Sequence, residues 1–167
     1  TIGDEALKQA NEKVEDMDAI AYTMGPGLIG SLHVGGIAAK TLAFFYDKPL
    51  IGVHHLKGHI FINELLQPLK YPLMALVVSG GHTELVYIEN ENSFKIVGTT
   101  LDDAVGESYD KVARVLGLEY PGGPKIDKLA KGGKKNYTLP KPKVDGLNFS
   151  FSGLKNASLQ LVNRLER

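Results

Sequence analysis

Residues 18–66 read DAIAYTMGPGLIGSLHVGGIAAKTLAFFYDKPLIGVHHLKGHIFINELL, and this stretch decides the fold class. Two short apolar runs predict buried strands, a long apolar stretch predicts one helix, and an amphipathic stretch predicts a second helix. In chain order these segments are Asp18–Thr23, Ser31–Phe45, Pro49–Val53 and His55–Leu66. The first helix is expected to be capped at Gly30 or Ser31. Strand, helix, strand and helix in succession predict an α/β fold with parallel strands joined by a right-handed crossover.

The segments on either side of this unit complete the expected architecture. A helix, Ile2–Glu12, precedes it. Three alternating runs with tight Gly or Asn turns predict an antiparallel meander after it: Leu73–Ser79, Thr83–Glu89 and Ser93–Val97. Further helices are expected at Asp103–Leu116, Lys125–Ala130 and Leu154–Arg167, with a loop at Gly132–Asp145.

The composition is that of an ordinary globular protein, with 43% hydrophobic and 23% charged residues among 167. The formal net charge is zero, so any contact with RNA must come from a local patch. The absence of cysteine excludes disulfides, thiolate zinc sites and a cysteine nucleophile. Apolar runs are shorter than a membrane span of roughly 20 residues, so cytoplasm is expected. Both ends suggest a fragment, because the first helix follows no strand and the last has no stop signal.

Two histidines lie four residues apart in a helix expected to follow a strand directly. Residues at this spacing share one helix face, so the imidazoles of His55 and His59 can bind one metal ion. The alternative is a structural role for both rings. The zinc-protease helix has Glu directly after the first His as general base, and Leu56 occupies that position here. His54 lies off this face and is expected to be structural.

The segment from Val77 to Gly81 joins two predicted strands. Adjacent glycines at 80 and 81 let backbone amides approach a phosphate, and Ser79 and Thr83 add hydroxyls. A plain hairpin turn is the alternative reading. The segment matches neither a P-loop nor a nucleophile elbow.

Acidic residues recur at helical spacing in the next predicted helix. Asp102 and Asp103 are explained as partners of the helix dipole, whereas Asp110 lies too deep in the helix for that explanation. The turn Tyr120–Pro124 leads into a helix carrying Asp127, and such a turn can hold phosphate or ribose.

Two further patterns leave alternatives open. Ser31, Gly35 and Ala39 form a stripe of small residues that allows close helix packing, either inside the protein or against a partner helix. Seven lysines cluster in a short stretch and indicate either a solvated surface or contact with RNA phosphates. They are Lys125, Lys128, Lys131, Lys134, Lys135, Lys141 and Lys143.

Several motifs together resemble the TsaD family of tRNA threonylcarbamoyladenosine transferases, formerly described as O-sialoglycoprotein endopeptidases. They are HLKGHI at 55–60, VVSGGHTEL at 77–85, DDAVGESYDKVARVLGLEYPGGP at 102–124 and FSFSGLKNA at 149–157. The double His before Leu56 is similar to the bacterial branch. The resemblance implies an actin-like, ribonuclease-H-like ATPase fold, here incomplete, with mixed sheets flanked by helices. It also implies that residues 1–67 belong to the N-terminal lobe and residues 68–167 begin a second lobe.

The same resemblance implies the ligands and partners. His55 and His59 would bind a divalent metal, with Fe²⁺ expected and Zn²⁺ as the alternative. The expected third ligand, an Asp, would lie outside this sequence, as would the family's opening strands and a C-terminal Asn. Eight residues would hold ATP, ADP or threonylcarbamoyl-AMP: Val77, Val78, Ser79, Gly80, Gly81, Asp110, Gly123 and Asp127. The expected partners are tRNA, a TsaB paralogue and the ATPase TsaE. No association with a membrane is expected.

The implied activity is that of an acyltransferase, which moves threonylcarbamoyl from threonylcarbamoyl-AMP to N6 of the adenosine next to the tRNA anticodon. The fragment alone is not necessarily active. One alternative is a metalloprotease, although Leu56 replaces its base. The other is an actin-like nucleotide-binding module without chemistry, although a pure nucleotide switch has no use for the His pair.

Overall fold

The computed structural model describes residues 2–165, and for Ile2 only the backbone. Regular elements follow one another as helices α1–α6 and strands β1–β5, with single 3-10 turns at Val14–Asp16 and Ile62–Leu65. In chain order they are α1 (Ile2–Ala10), β1 (Ile20–Gly25), α2 (Ile29–Phe45), β2 (Leu50–His54), α3 (His55–Phe61), β3 (Leu73–Val78), β4 (Thr83–Ile88), β5 (Lys95–Thr99), α4 (Val105–Val115), α5 (Gly122–Ala130) and α6 (Ser152–Leu165). The chain divides into two compact units, with the boundary between Pro68 and Leu69. The assignment of each unit to a family lobe stays a prediction.

The first unit contains the expected parallel crossover. β1 and β2 pair in parallel with Ile20 opposite Leu50, and α2 connects them. Small residues allow α2 to approach the sheet, because a Cβ at Gly36 would lie 3.5 Å from the Tyr22 ring. Ala39 and Ala43 are buried along the same helix. The predicted strand–helix–strand unit is therefore confirmed.

Two details of this unit differ from the expectation. The strands are not buried, since Ile51 for example is 49% exposed. Between residues 2 and 165 this sheet has two strands, and its one long helix packs mainly on β1, so much apolar strand surface stays uncovered. The second difference is the start of α2, which is capped by the backbone of Leu28 and not by Gly30 or Ser31. No side chain caps this helix start.

The second unit is built on the predicted meander. β3, β4 and β5 form an antiparallel sheet in that order. Val86 and Ile88 of β4, the central strand, are completely buried, as alternation along a half-covered strand predicts. Helices α5 and α6 both pack on α4. The prediction of a mixed α/β class with helices flanking small sheets is confirmed.

The remaining segments agree with the expected loop positions. Residues 133–144 form neither helix nor strand. None of the helices in residues 2–165 is long and apolar enough to cross a membrane. The last predicted helix, Leu154–Arg167, includes Glu166 and Arg167, which lie outside the described residues.

Candidate functional site

The histidine pair lies at the junction of β2 and α3, where the strand passes into the helix without a loop. Leu56 is only 3% exposed, and Ile60 is also buried, so these two side chains hold the short helix on the first unit. His55 and His59 lie about 100° around the helix from these two residues, and both are exposed. Their Nε2 atoms are 3.1 Å apart and their rings are almost perpendicular, at 79°.

This separation fits two ligands of one metal ion. With metal–nitrogen bonds of about 2.1 Å, two nitrogens are about 3.0 Å apart at a right angle and about 3.4 Å apart at the tetrahedral angle. The observed 3.1 Å lies between these values. The same distance fits a hydrogen bond in which one Nε2–H donates to the other Nε2. Among residues 2–165 no group of three or more His, Cys, Asp or Glu side chains could hold a metal, so this pair would supply two ligands at most.

The loop after β3 is closed by Ser79. Its hydroxyl oxygen accepts hydrogen bonds from the backbone N–H groups of Gly81, at 3.3 Å, and His82, at 3.0 Å. The Thr83 hydroxyl oxygen accepts from the N–H of Val105, at 2.9 Å. The two hydroxyls predicted as extra ligand groups therefore have structural roles. A Cβ at either Gly80 or Gly81 would meet nothing within 4 Å, so the outer face of the loop is open.

The first turn of α4 lies directly against this loop. The N–H of Gly106 donates to the carbonyl oxygen of Ser79 at 3.3 Å. A Cβ at Gly106 would lie 2.7 Å from that oxygen and 2.8 Å from the Cα of Gly80, so only glycine permits the approach. The amide end of an 11-residue helix and a glycine loop thus meet at one place. The partial positive charge of the helix start favours an anion at this place. The N–H groups of Gly81, His82, Val105 and Gly106 already donate to protein oxygens, so the charge and the open space carry this expectation.

The second glycine turn is attached to α4 one helical turn further on. Asp110 Oδ1 accepts a hydrogen bond from the N–H of Gly122 at 2.7 Å. A Cβ at Gly122 would collide with the Cβ of Ala113, which fixes the start of α5 against α4. Gly123 follows at once, and Asp127 is exposed on α5, where it pairs with Lys131 at 3.4 Å. The loop, Asp110 and the Gly122–Gly123 turn are therefore linked through α4, about 6 Å apart along its axis.

An apolar cavity of about 350 Å³ lies on an adjacent side of α4. Its walls include Tyr109, Ile126, Leu139, Phe151 and Leu154. None of the eight residues predicted to hold a nucleotide lines it. The predicted convergence of those eight residues on one pocket stays a prediction.

Asp102 and Asp103 have a different role from the one predicted. Both precede α4, which begins at Val105, and their side chains bind the region of α6. Asp102 accepts from the hydroxyl of Ser150 at 2.6 Å and from the N–H of Phe151 at 2.8 Å. The explanation as partners of the α4 dipole alone was wrong, because specific groups bind these carboxylates. Ser150 and Phe151 donate to Asp102, and Lys111 and Lys155 donate to Asp103. No local sequence signal indicates such partners.

Asp103 joins two helices through lysine side chains. Lys111 of α4 and Lys155 of α6 donate to its two oxygens at 2.7 and 2.8 Å. Hydrogen bonds from these lysines lower the pKa of Asp103 below its usual value, and the same interaction raises the pKa of Lys111. This cluster fixes α6 relative to the helix that carries the candidate site.

Residues 1–165 match the family described as TsaD: tRNA N6-adenosine threonylcarbamoyltransferase. The chain belongs to the TsaD family. The resemblance drawn from the motifs is thereby confirmed.

Curated relatives of the same name agree with this membership. Those from Staphylococcus saprophyticus and Staphylococcus epidermidis are 57% and 58% identical over 166 residues, which is 98% of this chain. The relative from Staphylococcus aureus strain Newman is 57% identical. The chain spans about half the length of these TsaD relatives, 48% to 49%. The solved structure of YeaZ from Pseudomonas aeruginosa aligns over 98% of this chain and 76% of its own, with 14% identity and a TM-score of 0.39, too low to support an argument.

Proposed function

We propose that the full-length protein containing this chain transfers threonylcarbamoyl from threonylcarbamoyl-AMP to N6 of the adenosine next to the tRNA anticodon. The observation that carries this proposal is the family match across residues 1–165, with 57% identity to curated relatives of that name. The chain spans about half of those relatives, so we assign the activity to the full-length protein and not to residues 1–167 alone.

The transfer is a displacement at an acyl carbon. The N6 amine attacks the carbamoyl carbon, a new C–N bond forms, and the bond from that carbon to the phosphate oxygen breaks. AMP leaves with the electron pair, and the amine loses a proton. Negative charge develops on the carbamoyl oxygen and on the departing phosphate, so the reaction needs positioning and hydrogen-bond donors and no covalent enzyme intermediate.

In the second unit, an open glycine loop lies beside the positively polarised start of α4. The open face of Gly80 and Gly81, next to the start of α4, is suited to the phosphate of the adenylate. Gly123 leaves room near the α5 start, and the carboxylates of Asp110 and Asp127 can accept hydrogen bonds from ribose hydroxyls. ATP or ADP would use the same groups, because both share the adenosine and the first phosphate.

The first unit offers the metal ligands. A bound Fe²⁺ or Zn²⁺ would supply Lewis-acid polarisation of an oxygen. The buried side chains of Leu56 and Ile60, which adjoin the two histidines on α3, hold the helix that carries both imidazoles. Because two ligands do not complete a metal site, water, substrate or residues beyond this sequence would supply the rest.

The geometry argues against the metalloprotease alternative. That mechanism needs a Glu after the first His, and Leu56 not only lacks a carboxylate but is buried. A nucleotide-binding module without chemistry would leave the pre-arranged His pair unexplained. The same proposal includes TsaB and TsaE as protein partners and the cytoplasm as the location of the full-length protein.

The test is reconstitution of the full-length protein with tRNA and threonylcarbamoyl-AMP, followed by mass spectrometry of the digested nucleosides. We expect one threonylcarbamoyladenosine and one AMP per tRNA. A Gly81→Val protein that stays folded is expected to form neither, because the branched side chain occupies the open face of the loop. Hydrolysis of threonylcarbamoyl-AMP with no modified nucleoside would refute the proposed transfer.

A further inference from the structure

The strongest local charge in the second unit lies in residues 125–143, here called the lysine segment. It contains seven lysines and one acidic residue, Asp127, so its formal charge is +6 in a chain of net charge zero. The charge is thus concentrated in one stretch and balanced elsewhere. A concentration of this kind attracts polyanions, which a chain of zero net charge does not do globally.

Within residues 2–165, most of these lysines form no ion pair with an acidic side chain. Lys125 pairs with Glu119 at 3.1 Å, and Lys131 pairs with Asp127 at 3.4 Å. Both pairs are exposed, with Glu119 91% accessible, so they stabilise the fold little. The other five form no ion pair within residues 2–165, and they are Lys128, Lys134, Lys135, Lys141 and Lys143. Their charges are available to a ligand.

The backbone conformation of the segment is restricted at two places. After α5 it runs without helix or strand, and its side chains are exposed apart from Leu139, which reaches into the apolar cavity beside α4 and α6. Lys141 lies between Pro140 and Pro142, which confine the chain to an extended form. The segment therefore has an apolar anchor at its middle and little backbone entropy to lose near Lys141 when it binds.

One aromatic ring accompanies the charges. Tyr137 is 56% exposed and lies between the Lys134–Lys135 pair and Lys141. Proteins that bind RNA combine basic side chains for phosphates with exposed aromatic rings on which bases stack. An acidic protein would complement the lysines but would not require the ring.

We propose that the lysine segment binds the phosphate backbone of the tRNA substrate. This inference rests on the proposed function for the identity of the RNA. Lysine ammonium groups act as point charges on phosphate oxygens, so the segment would hold and orient the tRNA without reading its sequence. The chemistry itself would remain with the groups described above.

The test uses the full-length protein with Lys134, Lys135, Lys141 and Lys143 changed to Gln. The matched control changes four other exposed lysines, Lys8, Lys13, Lys70 and Lys95, to Gln, which alters the net charge equally. The dissociation constant for unmodified tRNA is measured between 50 and 200 mM salt, together with KM and kcat for tRNA.

Four phosphate contacts account for roughly a 50- to 150-fold loss of affinity across this salt range, because each contributes about 0.7 to 0.9 to the logarithmic salt slope. We expect the segment variant to lose that part of the salt dependence and to have a higher KM for tRNA, with the largest increase at 50 mM salt. Its kcat at saturating tRNA and its melting temperature should stay those of the unchanged protein. The control variant should retain most of the salt slope.

Two results would overturn the inference. One is a segment variant whose tRNA binding keeps an unchanged salt slope. This includes a variant that no longer binds an acidic protein but still binds tRNA normally. The other is an equal loss in the control variant, which would indicate global charge instead of a local surface. If the unchanged protein binds tRNA through the segment but forms no modified nucleoside, the proposed function fails while the surface stands. The two proposals can therefore fail separately.

Discussion

Gly106→Ala tests whether the start of α4 positions the Ser79–Gly81 loop. The added methyl group would lie 2.7 Å from the Ser79 carbonyl oxygen and 2.8 Å from Gly80 Cα. Ordinary contact begins at about 3.4 Å, so the loop backbone must move by about 0.7 Å or the helix must tilt away. Overpacking of this size costs roughly 1–3 kcal/mol, partly offset by about 1 kcal/mol of helix propensity. We expect a small loss of stability and a large loss of nucleotide affinity.

The assay is calorimetric titration of the full-length variant with AMP and ATP, alongside thermal unfolding. A displacement approaching 1 Å in a positioned site reduces activity by up to about 100-fold. Gly153→Ala is the matched control, because it adds the same methyl group to the first turn of α6 with nothing within 4 Å. A Gly106→Ala protein with normal nucleotide affinity and transfer rate would show that this contact does not position the loop.

The remaining predictions concern metal, acid stability and a partner. His55→Ala or His59→Ala should sharply lower the metal content measured by elemental analysis, and His54→Ala should not; equal content in all three would refute the metal site. Asp103→Asn should destabilise the protein at neutral pH, because the pKa of the folded carboxyl is lowered by its lysine hydrogen bonds. That stability difference is complete above the unfolded pKa of about 3.9 and should disappear as pH falls through the lowered folded value, which acid unfolding curves can check. Gly35→Leu should leave the melting temperature unchanged or higher, because no atom lies within 4 Å of the added Cβ. The same change should block formation of a heterodimer with TsaB, as measured by size-exclusion chromatography. A retained heterodimer would exclude α2 as that interface.

The order and type of elements followed from local patterns in the sequence. The crossover in the first unit was predictable because two short apolar runs flank a long apolar helix. The meander was predictable because its apolar runs are separated by tight turns. The start of α2 was not predictable from capping rules, because the backbone at Leu28 begins the helix without a side-chain cap. The prediction that the strands of the first unit are buried was also wrong, because burial depends on which other segments cover the sheet.

The small-residue stripe on α2 shows why helix packing could not be predicted from the sequence. Sequence spacing grouped Ser31, Gly35 and Ala39, but the face against the sheet contains Gly36, Ala39 and Ala43. Both sets have helical spacing, and only the orientation of the helix on Tyr22 distinguishes them. The structure leaves Gly35 open, which removes the internal-packing explanation for that residue and keeps the partner explanation as a prediction.

α4 is the element through which the candidate nucleotide groups depend on one another. Its first turn meets the loop at Gly106, its middle holds the Gly122 turn through Asp110, and Lys111 joins it to α6 through Asp103. A nucleotide bound at the loop would therefore stabilise contacts well beyond those it touches. At 100 times its dissociation constant such a ligand adds about 2.7 kcal/mol to the stability of the folded state. Because Lys155 shares Asp103 with Lys111, hydrogen exchange at the start of α6 should slow when nucleotide binds, although α6 contributes no predicted nucleotide ligand. Unchanged exchange there, with protection confined to the loop, would mean that α4 does not transmit binding to α6.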